Sequence, residues 1–200
     1  MITIRAATTA DAPAMLDIYS SFVLSTAISF ETAVPAKAEM EARIERCLRK
    51  FPWIVCEIDR MIAGYAYASS HRERDAYQWT CESSIYLHPQ FGRRGIGMVL
   101  YTTLLSLLKL QGFVNVYGGI TLPNEASIKL HEKCGFVYFA GYDNVGYKLD
   151  SWHKVGWWKL QLNEYHLKPT PPLPFFELDE QLIRTQFEQA ATAIQSKVIG

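Results

Sequence analysis

A chain of 200 residues with 49% hydrophobic and 20% charged residues has the composition of a single globular domain with a real core, which excludes a disordered, collagen-like or coiled-coil chain. Twenty basic residues balance twenty acidic ones. No global field is therefore available to hold a nucleic-acid backbone or an anionic membrane surface, and any anion site has to be local.

Ile2 and Ile4 alternate with polar neighbours as in a short strand, and Thr8 with Asp11 gives a capping-box start to a helix through Met15, Ile18, Tyr19 and Phe22. Pro35 opens a second amphipathic helix carrying Met40, Ile44, Cys47 and Leu48, closed by Lys50 and Pro52. The β-rich runs Trp53 to Ile58 and Ile62 to Ala68, separated by Asp59-Arg60-Met61, read as a hairpin. A third β-rich run, Tyr77 to Leu87, leads through His88-Pro89 into Gly92-Arg-Arg-Gly-Ile-Gly97. A helix from Met98 to Gln111 follows, with Leu100, Leu104, Leu107 and Leu108 on its apolar face and Gly112 as its stop. Val114 to Ile120 is the next strand, which completes a βαβ crossover. Glu125 to Lys133 is a short helix stopped by Gly135, Phe136 to Phe139 an aromatic run, and Ser151 to Leu162 the last strand.

Four prolines between Leu167 and Pro174 predict an extended tether. Asp179 then caps a helix whose Ile183, Phe187, Ala190, Ile194 and Val198 form one apolar stripe. The chain thus divides into a domain at 1–166, a tether at 167–178 and a helix at 179–200. The stripe requires cover from its own domain or from a second copy of the chain, and the second copy is the expectation here.

Cys47, Cys56, Cys81 and Cys134 lie far apart with no Cys-x-x-Cys, so they read as reduced thiols of a cytoplasmic protein. Met1 to Ala7 lacks the apolar run of a signal peptide, and no stretch reaches the roughly 18 uncharged apolar residues of a membrane span. The five histidines share no metal-ligand spacing with the cysteines, so no metal is expected.

The glycine loop carries the strongest chemical signal. Glycines clear side chains from a place where a ligand must approach the backbone, and a helix start offers unpaired N–H groups with partial positive charge. Arg93 and Arg94 add two cations; a tight turn with solvated arginines is the plainer reading of the same residues. A Walker loop is not met, because Met98 and Val99 stand where Lys and Ser/Thr belong, and the dinucleotide fingerprint is missing after the first strand.

That loop, followed by a helix, a strand and then Asn124-x-x-Ser127-x-x-Leu130-His131-x-x-x-Gly135-Phe136, resembles the acetyl-CoA site of the GNAT N-acetyltransferases. Pro52-Trp53, Ala63-Gly64-x-Ala66-Tyr67-Ala68, Ala76-Tyr77-x-Trp79-Thr80-x-Glu82-Ser83, Leu122-Pro123-Asn124 and Trp152-His153-x-Val155-Gly156-x-Trp158 are similar to the phosphinothricin acetyltransferase subfamily. The likeness runs from Ile2 to Leu162 and leaves out 169–200. It implies an α/β GNAT fold: a mixed, twisted sheet splayed at the acetyl-CoA site and flanked by helices, here with a C-terminal helical extension. It further implies acetyl-CoA as donor, no metal, a homodimer, and a small-molecule amine as acceptor. That acceptor is the α-amine of a small amino acid or analogue such as phosphinothricin, methionine sulfoximine or methionine sulfone.

By family position, Ile85, Tyr86 and Leu87 lie along the pantetheine arm, with the Leu87 N–H at the thioester oxygen. Arg93, Arg94, Gly95, Ile96, Gly97 and Met98 hold the pyrophosphate, Asn124 and Ser127 contact the pantetheine, and Tyr101 stands near it. Gly92 departs from the family's Gln or Arg, and a grip made by backbone N–H groups is expected to keep binding the cofactor. His131 departs from the tyrosine that many members use as general acid.

An α-amine is largely protonated at neutral pH, so acetyl transfer needs a base. Glu82, three residues before Ile85, is the candidate; its plainer reading is a paired glutamate at a strand start. His131 is the second candidate, to take the amine proton or to deliver one to the departing thiolate, against the reading of a helix-surface histidine. Arg72 and Arg74 suit an α-carboxylate or phosphinate, and equally a solvated charge run. Phe30 and Trp79 are placed as walls of the side-chain pocket. Acetylation of another small amine or a protein N-terminus, a non-catalytic acyl-CoA-binding module, and a nucleophilic Cys81 or Cys134 remain open at this point.

Overall fold

The computed structural model describes residues 1–92 and 94–199, with side chains through residue 196. Its strands are β1 (Ile2–Ala6), β2 (Trp53–Ile58), β3 (Met61–Ser70), β4 (Thr80–Leu87), β5 (Asn115–Leu122), β6 (Val137–Lys148) and β7 (Ser151–Gln161). They form one sheet in the order β1-β2-β3-β4-β5-β7-β6. Every neighbouring pair is antiparallel except β4 and β5, the two strands joined by a helical crossover. The helices are α1 (Ala12–Ser25), α2 (Lys37–Leu48), α3 (Ile96–Gln111), α4 (Glu125–Lys133) and α5 (Glu180–Ile199).

Period-2 alternation along β2 divides the core in two. Trp53 and Val55 join Met15, Ile18, Tyr19, Met40 and Ile44 of α1 and α2 on one face. Ile54, Cys56 and Ile58 join Leu100, Leu104, Leu107 and Leu108 of α3 on the other. The start of α1 is fixed by Asp11, whose carboxylate accepts from the Thr8 N–H at 2.8 Å and from both Arg5 guanidinium nitrogens at 2.7 Å.

Local signals misplace a few boundaries. Tyr77 lies in a 3-10 turn, Asp75–Tyr77, and the strand starts only at Thr80. Gly95, at φ +73°, is the N-cap of α3, which begins at Ile96 rather than Met98. The turn between β2 and β3 is two residues, Asp59 and Arg60, both at positive φ (48° and 68°), and Leu149-Asp150 (50° and 57°) makes the same kind of turn between β6 and β7. Neither contains glycine, so the strand register imposes a conformation that the turn sequence does not announce.

The C-terminal segment is the main correction. Its stripe covers its own domain: Phe175, Leu178, Ala190 and Ile194 belong to the α3-side core, and Ile194 is fully buried. The Pro-rich stretch is extended, as its composition demands, but it is stapled down. Trp79 Nε1 donates to Thr170 O at 2.8 Å, Leu173 N to Gln111 O at 2.8 Å and Phe175 N to Lys50 O at 3.1 Å. The Gln111 amide bridges Lys50 O and Leu173 O at 2.7 and 2.6 Å. Asp179 Oδ1 accepts from Leu182 N at 3.0 Å and starts α5.

Truncation of a fully buried isoleucine leaves a cavity, so Ile194→Ala is expected to lower the unfolding free energy by about 2–4 kcal/mol in urea titration. A loss under about 0.5 kcal/mol would mean that the tail is not docked in solution.

Candidate active site

β4 and β5 are in register for only three residue pairs, Thr80 with Asn115, Cys81 with Val116 and Glu82 with Tyr117. Both strands then continue, to Leu87 and Leu122, without pairing to each other. β4 stays paired to β3 from Cys81 to Leu87 and β5 to β7 from Asn115 to Leu122, so the gap opens inside the sheet and not at an edge. The His88 N–H bonds to Ala63 O of β3 at 2.9 Å, so by alternation the Leu87 N–H points the other way, into the gap.

The gap ends at α3. An added Cβ at Gly97 would lie 3.0 Å from Leu87 Cδ1, so glycine there lets the helix start approach β4 closely. Ile96 is fully buried, leaving only its backbone for a ligand. Arg94 is exposed and lies over the Phe91 ring at 5.7 Å, while Arg93 lies outside the described residues. Nothing in the structure requires glycine at Gly92, where a Cβ would meet only Pro89 O at 3.5 Å. The unpaired backbone of two splayed strands, ending against the N-terminus of a long helix, is a cradle that fits an extended pantetheine with a diphosphate at one end.

Alternation puts Glu82, Ser84 and Tyr86 on the α1/α2 face and Cys81, Ser83 and Ile85 on the α3 face. Tyr86 is edge-on to Tyr19 at 5.1 Å and to Phe22 at 5.2 Å, so its side chain is packing and only its backbone borders the gap. Glu82 opens onto a cavity of about 340 Å³ walled by Ile28, Phe30, Tyr142, Val145 and Trp157. His71 Nδ1 lies 2.8 Å from Glu82 Oε1. The loop carrying Phe30 is anchored by Lys148, whose buried Nζ donates to Ser29 O at 2.6 Å, and by the 2.6 Å bond between Tyr19 Oη and Ser29 Oγ. Gly146 is the floor under Phe30: a Cβ there would fall 2.5 Å from the ring.

On the α3 face a chain of side chains leads away from the gap. Ser83 Oγ bonds Tyr101 Oη at 2.8 Å, Tyr101 Oη bonds His131 Nε2 at 2.8 Å, and His131 Nδ1 lies 2.8 Å from Ser127 O. A carbonyl only accepts, so Nδ1 carries the proton and Nε2 accepts from the tyrosine. Far from lying on the helix surface, His131 is buried, and burial pulls its pKa below the ordinary 6.5. Burial pushes the Tyr101 phenol up, so it stays protonated. Gly118 makes room for the imidazole: a Cβ there would sit 2.5 Å from Nε2. Asn124 caps α4, its Oδ1 accepting from Ser127 N at 3.1 Å, which leaves its amide N–H₂ for a ligand in the gap.

Other residues singled out from the sequence are not brought here. Trp79 does not wall the cavity; its indole is committed to Thr170 at the foot of β4, because the docked tail passes there. Arg72 and Arg74 are exposed on the loop after β3, Arg72 bonding His71 O at 3.0 Å, and neither lines the cavity at Glu82. Burial pushes the Cys81 thiol up and Cys134 to about 11, and neither bonds a basic side chain, so neither is a thiolate nucleophile at neutral pH. The walls Ile28, Tyr142, Val145 and Trp157 escape sequence reading, since only the strand register and the loop after α1 bring them together.

The unfolded chain protonates an ordinary histidine near pH 6.5 while the folded chain keeps His131 neutral. Its stabilising contribution is therefore complete above that pH and lost as pH falls through the folded value. Thermal melts between about pH 7.5 and about pH 5.5 should show a steeper loss of stability for the native chain than for His131→Gln, and parallel slopes would count against the buried neutral ring.

Comparison with known proteins agrees with this geometry. The profile of the acetyltransferase (GNAT) domain matches residues 4–157. Over 173 residues the chain is 38% identical to the phosphinothricin N-acetyltransferase of Streptomyces viridochromogenes, covering 86% of this chain and 92% of that one. Over 165 residues it is 33% identical to the L-methionine sulfoximine/L-methionine sulfone acetyltransferase of Salmonella typhimurium, covering 82% and 96%. The crystal structure of a GNAT superfamily phosphinothricin acetyltransferase from Sinorhizobium meliloti, in complex with AcCoA, matches with a TM-score of 0.81 at 32% identity, over 84% of this chain and 93% of that one. The chain belongs to the GNAT family of acetyl-CoA-dependent acetyltransferases.

Proposed function

We propose that the chain transfers the acetyl group of acetyl-CoA directly to the α-amine of a small amino acid or analogue of the phosphinothricin or methionine sulfoximine type. The observation that carries this reading is the placement of Glu82: its carboxylate stands at the fork of the splayed strands and borders a cavity of about 340 Å³, the scale of a small acceptor. The names of the relatives point to the same acceptor class.

Acetyl-CoA supplies an activated acetyl group. The residues of this chain supply position and proton management. The acceptor ammonium gives one proton to Glu82, directly or through a water, and becomes a nucleophile; Glu82 returns that proton to solvent. The nitrogen loses a second proton as the amide forms, and the leaving thiol takes one, so the reaction releases a single proton overall. The Leu87 N–H faces the gap at its α3 end, roughly 16 Å along β4 from Glu82, so it is proposed to meet the pantetheine arm rather than the thioester oxygen expected from family position. Ser83, Tyr101 and His131 form a chain ending in a neutral nitrogen that accepts, which suits uptake of a proton from the gap rather than supply of one. Arg72 and Arg74 lie outside the cavity walls, but Arg72 follows His71, which bonds Glu82, and from that exposed loop the two are proposed to meet the acceptor's carboxylate or phosphinate.

The protein acts in the cytoplasm as a homodimer in this reading. Four free cysteines suit a reducing compartment, and among the described residues no helix is long and apolar enough to cross a membrane. Since the stripe of α5 is spent on its own domain, the second copy is assigned to the outer strand β6, where Val137, Phe139 and Tyr147 are each more than half exposed, together with Trp152 of β7.

Thiol release should be accelerated by L-phosphinothricin, L-methionine sulfoximine or L-methionine sulfone, and Glu82→Gln should lower kcat by roughly 10²–10⁴ while acetyl-CoA still raises its melting temperature. Acetyl-CoA binding with no acceleration by any amine would identify a non-catalytic module instead. In sedimentation velocity the native chain should run as a dimer and the Val137→Lys/Tyr147→Lys variant as a monomer; a native monomer would remove the β6 interface.

A further inference from the structure

We propose that His71 is a positioning residue for the transfer reaction: its Nδ1–H holds one oxygen of the Glu82 carboxylate and leaves the other to the acceptor amine. This inference rests on the reading of Glu82 as the base. His71 follows the last residue of β3, whose Ser69 is registered opposite Glu82. Ser69, His71 and Glu82 therefore share the α1/α2 face. The 2.8 Å contact between His71 Nδ1 and Glu82 Oε1 has a defined direction, because an ionised carboxylate only accepts and the imidazole nitrogen must donate.

The ring itself is locked. It stacks on Tyr117 at 4.9 Å with 22° between planes, and Trp157 and Tyr77 meet it edge-on at 6.3 and 6.0 Å. Tyr117 is the residue registered opposite Glu82 in the last pair before β4 and β5 part, so the histidine is clamped where the gap begins. Among the described residues no other side chain or backbone group donates to the Glu82 carboxylate. Without His71 the carboxylate would sample its rotamers at the cavity mouth, and a base that is free to turn loses the benefit of orientation. His71 is not among the cavity walls, so it acts through Glu82 and not on the acceptor.

The test measures kcat and KM with the fastest acceptor among L-phosphinothricin, L-methionine sulfoximine and L-methionine sulfone for His71→Phe, His71→Asn and Glu82→Gln. His71→Phe keeps a ring over Tyr117 and removes the donor; kcat should fall roughly 10-fold or more with the acetyl-CoA KM within about twofold of native. His71→Asn, whose amide nitrogen reaches the Nδ1 position, should recover kcat to within about threefold of native, and the His71→Phe/Glu82→Gln double variant should be no slower than Glu82→Gln alone. If the phenylalanine variant does not fold, His71→Leu beside His71→Asn makes the same comparison. Native kcat in His71→Phe, no recovery in His71→Asn, or additive losses in the double variant would overturn the inference and leave Glu82 as base untouched. Native turnover by Glu82→Gln would instead remove the base reading on which it rests.

Discussion

The loss of pairing between two neighbouring parallel strands after Glu82 and Tyr117 governs the rest of the molecule. An internal gap in a sheet leaves backbone N–H and C=O groups without partners, which is costly unless a ligand or solvent takes them. The gap persists because its two walls are held from outside, β4 by β3 and β5 by β7, and because side chains occupy the space beneath it. The His131 ring fits against β5 only where Gly118 has no side chain, and α3 closes on β4 only where Gly97 has none. The glycines are thus part of the same device as the splay.

A gap through a sheet has two sides, and the chemistry divides along them. On the α1/α2 side are a carboxylate and a cavity walled by aromatic and aliphatic side chains. On the α3 side are a serine, a tyrosine and a histidine in series, with the histidine kept neutral by burial. Alternation along β4 alone produces this division, since Glu82 and Ser83 are consecutive. An acceptor arriving from one face and a thioester lying in the gap meet without either having to cross the core.

Much of this could be read from the sequence, and the parts that could not share a physical cause. The glycine loop, α3, the crossover and α4 are local features with their own caps and stops, and they fall within a residue or two of expectation. Glu82 and His131 take their proposed roles from the family resemblance, and the burial of His131 is not legible there, because it depends on Gly118 of a different element. Trp79 was misassigned because an aromatic at a strand start looks the same whether it faces a ligand or a docked tail. The tail stripe demands a partner without naming one; the docking site is formed by β1 and α3, from the start and the middle of the chain, both distant in sequence from α5. His71 lay in a run of charges whose register against β4 is set only by long-range pairing.

The most direct test of the central claim is a crystal structure of the protein with coenzyme A. The diphosphate is expected against the backbone N–H groups that begin α3, with the pantetheine lying between Ser83–Leu87 and Gly118–Leu122 and the sulfur near Glu82. A coenzyme bound outside the gap, or strands β4 and β5 found paired along their whole length, would contradict it.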